Sequence, residues 1–323
     1  MITRIISMNV KPRGVSWFGH DKHLPLPYCL AVWPLLKRIA RRATINHVFA
    51  SASERILTPR LAGMGNTLLT ICKDSPALDR LESNLESLRR LRKIVVESER
   101  HRELLIQGGV AEDRIHLIYP GVMRQPFVPA PDPFTIMFAT SPKSRNDFLS
   151  RGVYLMIRVA SQLPQVQFRL IWRTWNHDKL QALIREAGVG NVEVINGYVR
   201  NMESMYETAH AVILPALTDS SLKPCPHSGL HALAHGKPLL VSRHASLAAI
   251  VERHRCGVVF EPTVQSLREA VRRLQSNYDH FQSHAHDTLE KCFSHETFLE
   301  RYRDLYSQVA DEAVPAGESA GDR

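Results

Sequence analysis

The stretch Pro215-Ala-Leu-Thr-Asp-Ser-Ser-Leu-Lys-Pro-Cys-Pro-His-Ser-Gly-Leu-His-Ala-Leu-Ala-His-Gly-Lys-Pro-Leu-Leu-Val-Ser242 decides the fold. An apolar run, Ala211–Leu214, enters it and a polar loop follows. A helix is expected from the Pro226–Ser228 cap to Gly236, whose freedom at positive φ suits a helix end, and Pro238 then opens a buried strand. A strand, a loop and a helix N-terminus in this order aim free backbone N–H groups at an anion. An ordinary loop–helix–strand connection would give the same local pattern.

Working outward, strands are expected at Thr135–Ala139, Gln167–Trp172, Val192–Ile195, Ala211–Leu214, Pro238–Val241 and Val258–Phe260. Helices fall between them near Val153–Leu163, Lys179–Glu186, Met202–Thr208, Ser228–Ala234 and Leu247–Arg253. Upstream, Ile2–Met8, Asn46–Ala50, Thr67–Ile71, Lys93–Val96 and Ile115–Ile118 alternate with helical patterns at Tyr28–Arg42, Ala52–Ala62, Leu78–Leu91 and Glu99–Gln107. Such alternation predicts βαβ units and parallel sheets. The fold class is therefore α/β, with two Rossmann-like doubly wound domains facing across a cleft. The expected organisation is an N-terminal acceptor domain over 1–122, a linker over 123–134, a donor domain over 135–293, a C-terminal helix over 294–310 able to cross back to the first domain, and a disordered tail over 311–323. Pro126, Pro129, Pro131 and Pro133 define the linker, because proline neither donates to a central strand nor continues a helix.

The 323 residues, 44% of them hydrophobic, suffice for two cores. The net charge of +9 is concentrated early: residues 1–130 carry 20 Lys+Arg against 11 Asp+Glu, and the remainder 21 against 21. A basic half can face nucleic acid, an anionic bilayer or a phosphorylated substrate. No aromatic-interleaved RNA motif or zinc-finger spacing favours nucleic acid. Cys29, Cys72, Cys225, Cys256 and Cys292 contain no Cys-x-x-Cys pair, which fits a reducing, cytoplasmic compartment. No signal peptide is evident, and Leu24–Leu36, broken by Pro25, Pro27 and Pro34, is shorter than the ~20 apolar residues of a membrane span. The basic, amphipathic stretch Trp33–Arg42 reads either as a helix lying on an anionic inner membrane face or as one packed on the first sheet, and the Arg89–Lys93 cluster adds to the membrane reading.

The segment Ala232-Leu-Ala-His-Gly-Lys-Pro238 with its following strand resembles the signature of the family 4 glycosyltransferases of the GT-B fold. Further segments resemble the family in the right order: Val95–Gly108, Tyr119-Pro-Gly-Val122, Ala139–Gly152, Asn191–Pro215, Cys256–Pro262 and Phe298–Tyr306. The resemblance covers about residues 93–310 and is weak before them. It implies a retaining, metal-independent transfer from a nucleotide-diphosphate sugar, with no other cofactor, to an acceptor that could carry phosphate or lipid. A catalytically inactive, glycosyltransferase-like binding or partner protein is the alternative.

The resemblance places donor contacts at Gly14, Arg145, Arg151, Gly197, Ser221, Lys223, His227, Ser228, Gly229 and His231, with Lys73 and Asp74 as catalytic candidates where the family often has His-Asp. Arg151 stands in the place of the family's lysine and keeps the charge that grips phosphate. Lys223 and His231 stand where the family has paired glutamates. A neutral imidazole can still accept one hydroxyl proton, whereas Lys223 reverses the charge. Asp219, Ser220 and Ser221 are candidates for sugar hydroxyls, and Cys225 is expected as a small packed residue. His227, His231 and His235 share one helix face, but eight residues separate the outer pair by ~12 Å, too far to share one ion. No metal is therefore expected, and His235 should be a solvated helix-end residue. His280, His284 and His286 are expected on exposed helical surface.

Overall fold

The computed structural model describes residues 8–11, 14–17, 23–24, 26–52, 57–72, 84–140, 142, 144–219 and 221–313. Three sheets organise them. The first is a small antiparallel sheet of β1 (Met8–Lys11), β2 (Gly14–Trp17) and β3 (His23–Leu24). The second is a four-stranded parallel sheet in chain order, β4 (Asn46–Ala50), β5 (Thr67–Ile71), β6 (Lys93–Val96) and β7 (Ile115–Leu117).

The third sheet contains β8 (Thr135–Phe138), β9 (Gln167–Trp172), β10 (Val192–Asn196), β11 (Ala211–Leu214), β12 (Leu239–Ser242) and β13 (Gly257–Phe260), all parallel. Its order is β10-β9-β8-β11-β12-β13. Numbered within the sheet this is 3-2-1-4-5-6, the Rossmann order, whose direction reverses between β8 and β11. In such open sheets ligands bind at the carboxyl ends of the strands that flank the reversal.

Helices in the N-terminal half are α1 (Leu26–Arg42), α2 (Leu57–Leu61), α3 (Leu85–Arg89) and α4 (Glu99–Gln107). The C-terminal half adds α5 (Arg145–Ser150), α6 (Val153–Ala160), α7 (His177–Glu186), α8 (Met202–Glu207), α9 (His227–Ala234), α10 (Ala248–His254), α11 (Val264–Ser276), α12 (Tyr278–Phe293) and α13 (His295–Ala313).

The period-two pattern of the strands sorts two cores onto the faces of the third sheet. Ile136, Phe138, Phe168, Leu170, Ile213 and Leu240 pack with α6 and α11. Met137, Val212, Leu214, Leu239 and Val241 face α9, α10 and α12. The second sheet is likewise covered twice. Leu69, Ile71, Ile94 and Val96 pack with Leu88 and Leu105, while Leu68, Val95 and Ile118 pack with Tyr302, Leu305 and Val309 of α13. The last helix thus returns to the N-terminal sheet, and it runs on to Ala313, past the start expected for a disordered tail. An apolar period continues to Val309, which is fully buried, so the helix has a reason to persist there.

The linker is held down along its length. Val122 bridges Ser294, Gln125 N donates to Ala234 O (2.8 Å), and buried Lys237 donates Nζ to Val128 O and Glu207 O while lying 4.9 Å from the Phe127 ring.

The opening differs from the expected βαβ start. Ile2–Ser7 lie outside the described residues, and Met8–Lys11 pairs with Gly14–Trp17 as an antiparallel hairpin. Two residues connect these strands, and a parallel crossover needs a dozen or more.

Candidate active site

The crevice at the sheet's reversal point is built from the loops after β8 and β11. Thr140 follows β8, and Arg151 ends α5, its Nη1 donating to Thr140 Oγ1 at 2.7 Å. That bond turns the guanidinium back over the strand ends. Its Nε is buried without a hydrogen-bond partner among the described residues, a donor left for something not present. Gly152 adopts φ +70°, and a Cβ there would stand 2.1 Å from Pro215 O. Leu217 N donates to Ser150 O at 2.7 Å. The two loops are therefore in backbone contact, which only glycine at 152 permits.

Beyond the loop that follows β11, α9 begins at His227 after a Pro226 cap that supplies no side-chain bond. Gly229 N and Leu230 N both reach back to Pro226 O, so the first two amides of α9 are unspent donors at a positive helix end. Arg151 and these amides together suit a diphosphate.

His231, one turn further, is half-buried and stacks on Tyr206 of α8 with centroids 5.9 Å apart. Burial, then the neighbouring His235, lowers its pKa, although Glu203 opposes the shift. A neutral ring that can accept a hydroxyl proton results. His227 is exposed at the helix start, and burial, Lys223 and His231 lower its pKa too.

The other sequence candidates divide. Lys223 is exposed on the loop before α9. Ser221 bonds Thr218 Oγ1 at 2.6 Å, closing its own turn. Ser228 is half-buried in the first turn of α9. Gly197 follows β10, its N donating to Trp172 O at 2.8 Å, and open space lies beside it. Arg145 begins α5 behind the Ser144–Asp147 capping box. Lys73, Asp74 and Ser220 lie outside the described residues.

Several expectations are corrected. Gly14 opens β2 opposite Lys11 in the hairpin, so it is in a ladder and not on a loop leading into a helix. Gly229 is buried with its α-carbon turned toward Leu214 and Leu247, where a Cβ would come within 3.1 and 3.2 Å of them; it serves the close packing of α9 on the sheet. His235 is only 2% exposed, stacked 5.1 Å from Tyr206 with Nδ1 bonded to His231 O, because α9 carries its C-terminal end under the linker. His286 is half-buried and bonds Ala234 O, so of the three α12 histidines His280 alone is fully exposed. Within the Arg89–Lys93 cluster, Arg89 holds Gly108 O and Lys93 is buried with Nζ on Asp113 O, while Arg90 is exposed. Asp219 binds Arg100 Nη2 at 2.5 Å and His244 Nδ1 at 2.8 Å, so both oxygens are engaged in a tie between α4 and the C-terminal domain. Cys225 is buried, and burial together with Glu97 raises its thiol pKa, as befits a packed and unreactive residue.

The sequence reading missed the N-terminal wall. A cavity of 510 Å³ opens between α4 and the segment following β12, lined by Glu97, Arg100, Tyr119, Cys225 and His244 among others. Glu97 directly follows β6, at the carboxyl edge where parallel sheets place ligands. That rule, applied to the first half as it was to the second, would have found it.

Residues 137–277 match the family model described as Glycosyl transferases group 1. No curated protein matches the chain in sequence. Among solved structures, it is similar to a glycosyltransferase from Rickettsia africae ESF-5, with TM-score 0.69 and 14% identity over 90% of this chain and 83% of that one. Anabaena Alr3699/HepE in complex with UDP-glucose aligns with TM-score 0.69 and 14% identity over 85% and 82%. The apo form of the lipopolysaccharide outer core galactosyltransferase WaaB aligns with TM-score 0.68 and 15% identity over 88% and 82%. With two parallel sheets and a group 1 match that runs through the reversal point, the chain has the GT-B fold of these glycosyltransferase structures, and its residues 137–277 match the group 1 glycosyl transferases.

Proposed function

We propose that the protein transfers a sugar from a nucleotide-diphosphate donor, seated at the β8/β11 crevice, to an acceptor held by the N-terminal domain, with retention of configuration and without metal or other cofactor. The observation that carries this is the Arg151–Gly152–Pro215 junction, which ties the loop after β8 to the loop that runs from β11 into the start of α9. Charge builds on the diphosphate as the glycosidic bond breaks, and fixed cations and amides aimed at that charge stabilise the transition state more than the ground state. His231, held neutral against Tyr206, supplies the acceptor for a ribose hydroxyl. Anabaena Alr3699/HepE was solved with UDP-glucose, which makes UDP-glucose the first donor to try.

The acceptor side is basic. On α1, Leu35 is 58% exposed beside the exposed Lys37, Arg38, Arg41 and Arg42, a face suited to the inner, anionic surface of a membrane and to a phosphorylated or lipid-linked acceptor. No helix among the described residues is long and apolar enough to cross a membrane. Co-sedimentation with anionic vesicles should fall as salt rises, and equal binding to neutral vesicles would contradict the membrane reading.

A thermal-shift and turnover screen of nucleotide sugars, run in the presence of a chelator with Arg151→Ala and His231→Ala as controls, tests the donor assignment. Donor-dependent stabilisation that Arg151→Ala abolishes is expected. Binding without turnover over a broad acceptor panel would instead indicate a binding protein.

A further inference from the structure

The loop that leads from β11 into α9 is held by the N-terminal domain. We propose that Arg100 is a positioning residue: through Asp219 it keeps this loop, and with it the start of α9, in the place that receives the donor diphosphate. The inference rests on the donor reading above.

The loop spans Pro215 to Pro226, from the end of β11 to the start of α9. Backbone fixes its beginning, with Pro215 against Gly152 and Leu217 N on Ser150 O at 2.7 Å. Its far end is fixed where buried Cys225 donates Sγ to Glu97 O at 3.2 Å. Between these points the chain makes a turn of its own, closed by Ser221 N on Thr218 O at 3.1 Å and by the hydroxyls of the same two residues at 2.6 Å. Asp219 stands inside that turn and its carboxylate reaches out of it. One oxygen accepts from Arg100 Nη2 at 2.5 Å, the other from His244 Nδ1 at 2.8 Å.

Arg100 is presented from a fixed base. It lies in the first turn of α4, whose Ser98 Oγ accepts from His101 N at 3.3 Å, and His101 is buried. Among the described residues, its pair with Asp219 is the only ion pair that joins residues 1–122 to the C-terminal domain. Arg100 and His244 also line the 510 Å³ cavity between α4 and the segment after β12. Close packing sets the position of a core element, but here the two sides are separated by open space. The contact across it is therefore made by charge.

A partly exposed ion pair adds little to global stability, so its effect is on geometry. Holding Asp219 holds Leu217, two residues back at the junction with the loop after β8, and steadies the path to the α9 amides ahead. Donors aimed at developing charge work only when they are already in place, and a loop ordered beforehand costs less to order when the ligand arrives.

Asp219 gives the test its sign. It is an anion near the site for a diphosphate, so through its field alone its removal strengthens donor binding. Through loss of the tether, its removal weakens it.

The test measures calorimetric binding of UDP-, GDP- and ADP-glucose to the full chain as wild type, Arg100→Ala, Asp219→Asn and the double variant. Amide hydrogen exchange over residues 216–226 is followed alongside. Each single variant should weaken donor binding about fivefold or more, and the double variant no further than the weaker of the two. Exchange in the loop should quicken in both while the denaturant midpoint barely moves. Arg100→Lys should recover part of the affinity. Arg102→Ala, which removes the same charge two positions along α4, should change affinity by less than about twofold. Unchanged or tighter binding in Asp219→Asn, additive losses in the double variant, an Arg102→Ala loss equal to that of Arg100→Ala, or unchanged exchange in the loop each overturns the proposal and leaves the donor crevice standing. Absence of binding by any donor to the wild type defeats both readings.

Discussion

The two walls of the cleft are made by different means. On the C-terminal side the pocket is mostly backbone: Gly152 against Pro215, uncapped amides at α9, and one arginine anchored on Thr140. On the N-terminal side it is side chains, with Glu97 lining the cavity and Arg100 reaching Asp219. In the proposed donor site, a wall of backbone holds the diphosphate without the side chains of Lys223 and His231, and His231 bears only on the ribose. A wall of side chains stands or falls with single residues.

The comparison breaks hardest at Gly152. Alanine there meets Pro215 O at 2.1 Å and must adopt φ near +70°. Overpacking and left-handed strain together should cost roughly 3 kcal/mol or more, read as a lower denaturant midpoint with loss of donor binding. Arg151→Ala should leave the fold intact and weaken nucleotide-sugar binding roughly 10- to 100-fold, as for a lost charge-assisted bond to phosphate.

A third prediction sharpens the N-terminal side. His47 bonds Tyr306 OH and Thr70 Oγ1, each at 2.7 Å, where α13 lies on the second sheet. Burial lowers its pKa to about 4. Between about pH 6.5 and 4 the unfolded chain takes a proton that the folded chain refuses, so stability present at neutral pH is lost as pH falls, by about 2–3 kcal/mol. A fluorescence-monitored urea titration at pH 7 and at pH 4.5 should show that loss, and His47→Asn should flatten the pH dependence. The smallest effect is Tyr302→Phe, which removes the 2.9 Å bond to Thr70 and should cost about 1 kcal/mol in the same titration.

The C-terminal domain was legible because its signals are local. Gln167–Trp172 and Ala211–Leu214 are strands at the expected residues, since β-branched and apolar runs between turn residues are buried on both faces. The order of the strands in the sheet is not a local property, and it is the order that turns the loops after β8 and β11 into one crevice. Misreadings came where a residue's surroundings are set by distant chain. His235 looked like a helix end in water, but the linker and α8 cover it. Gly14 looked like a phosphate loop, and a two-residue connection made it a hairpin. Glu97 carried no motif at all, because its significance arises only when Cys225, 128 positions later, closes over it.

The most direct measurement is calorimetric titration of UDP-glucose and its GDP and ADP counterparts into the wild-type chain and Arg151→Ala at fixed salt. Saturable binding of at least one donor to the wild type, lost or weakened at least tenfold in Arg151→Ala, is the predicted result. Binding of no donor, or binding that ignores Arg151, would contradict a donor site at the β8/β11 crevice.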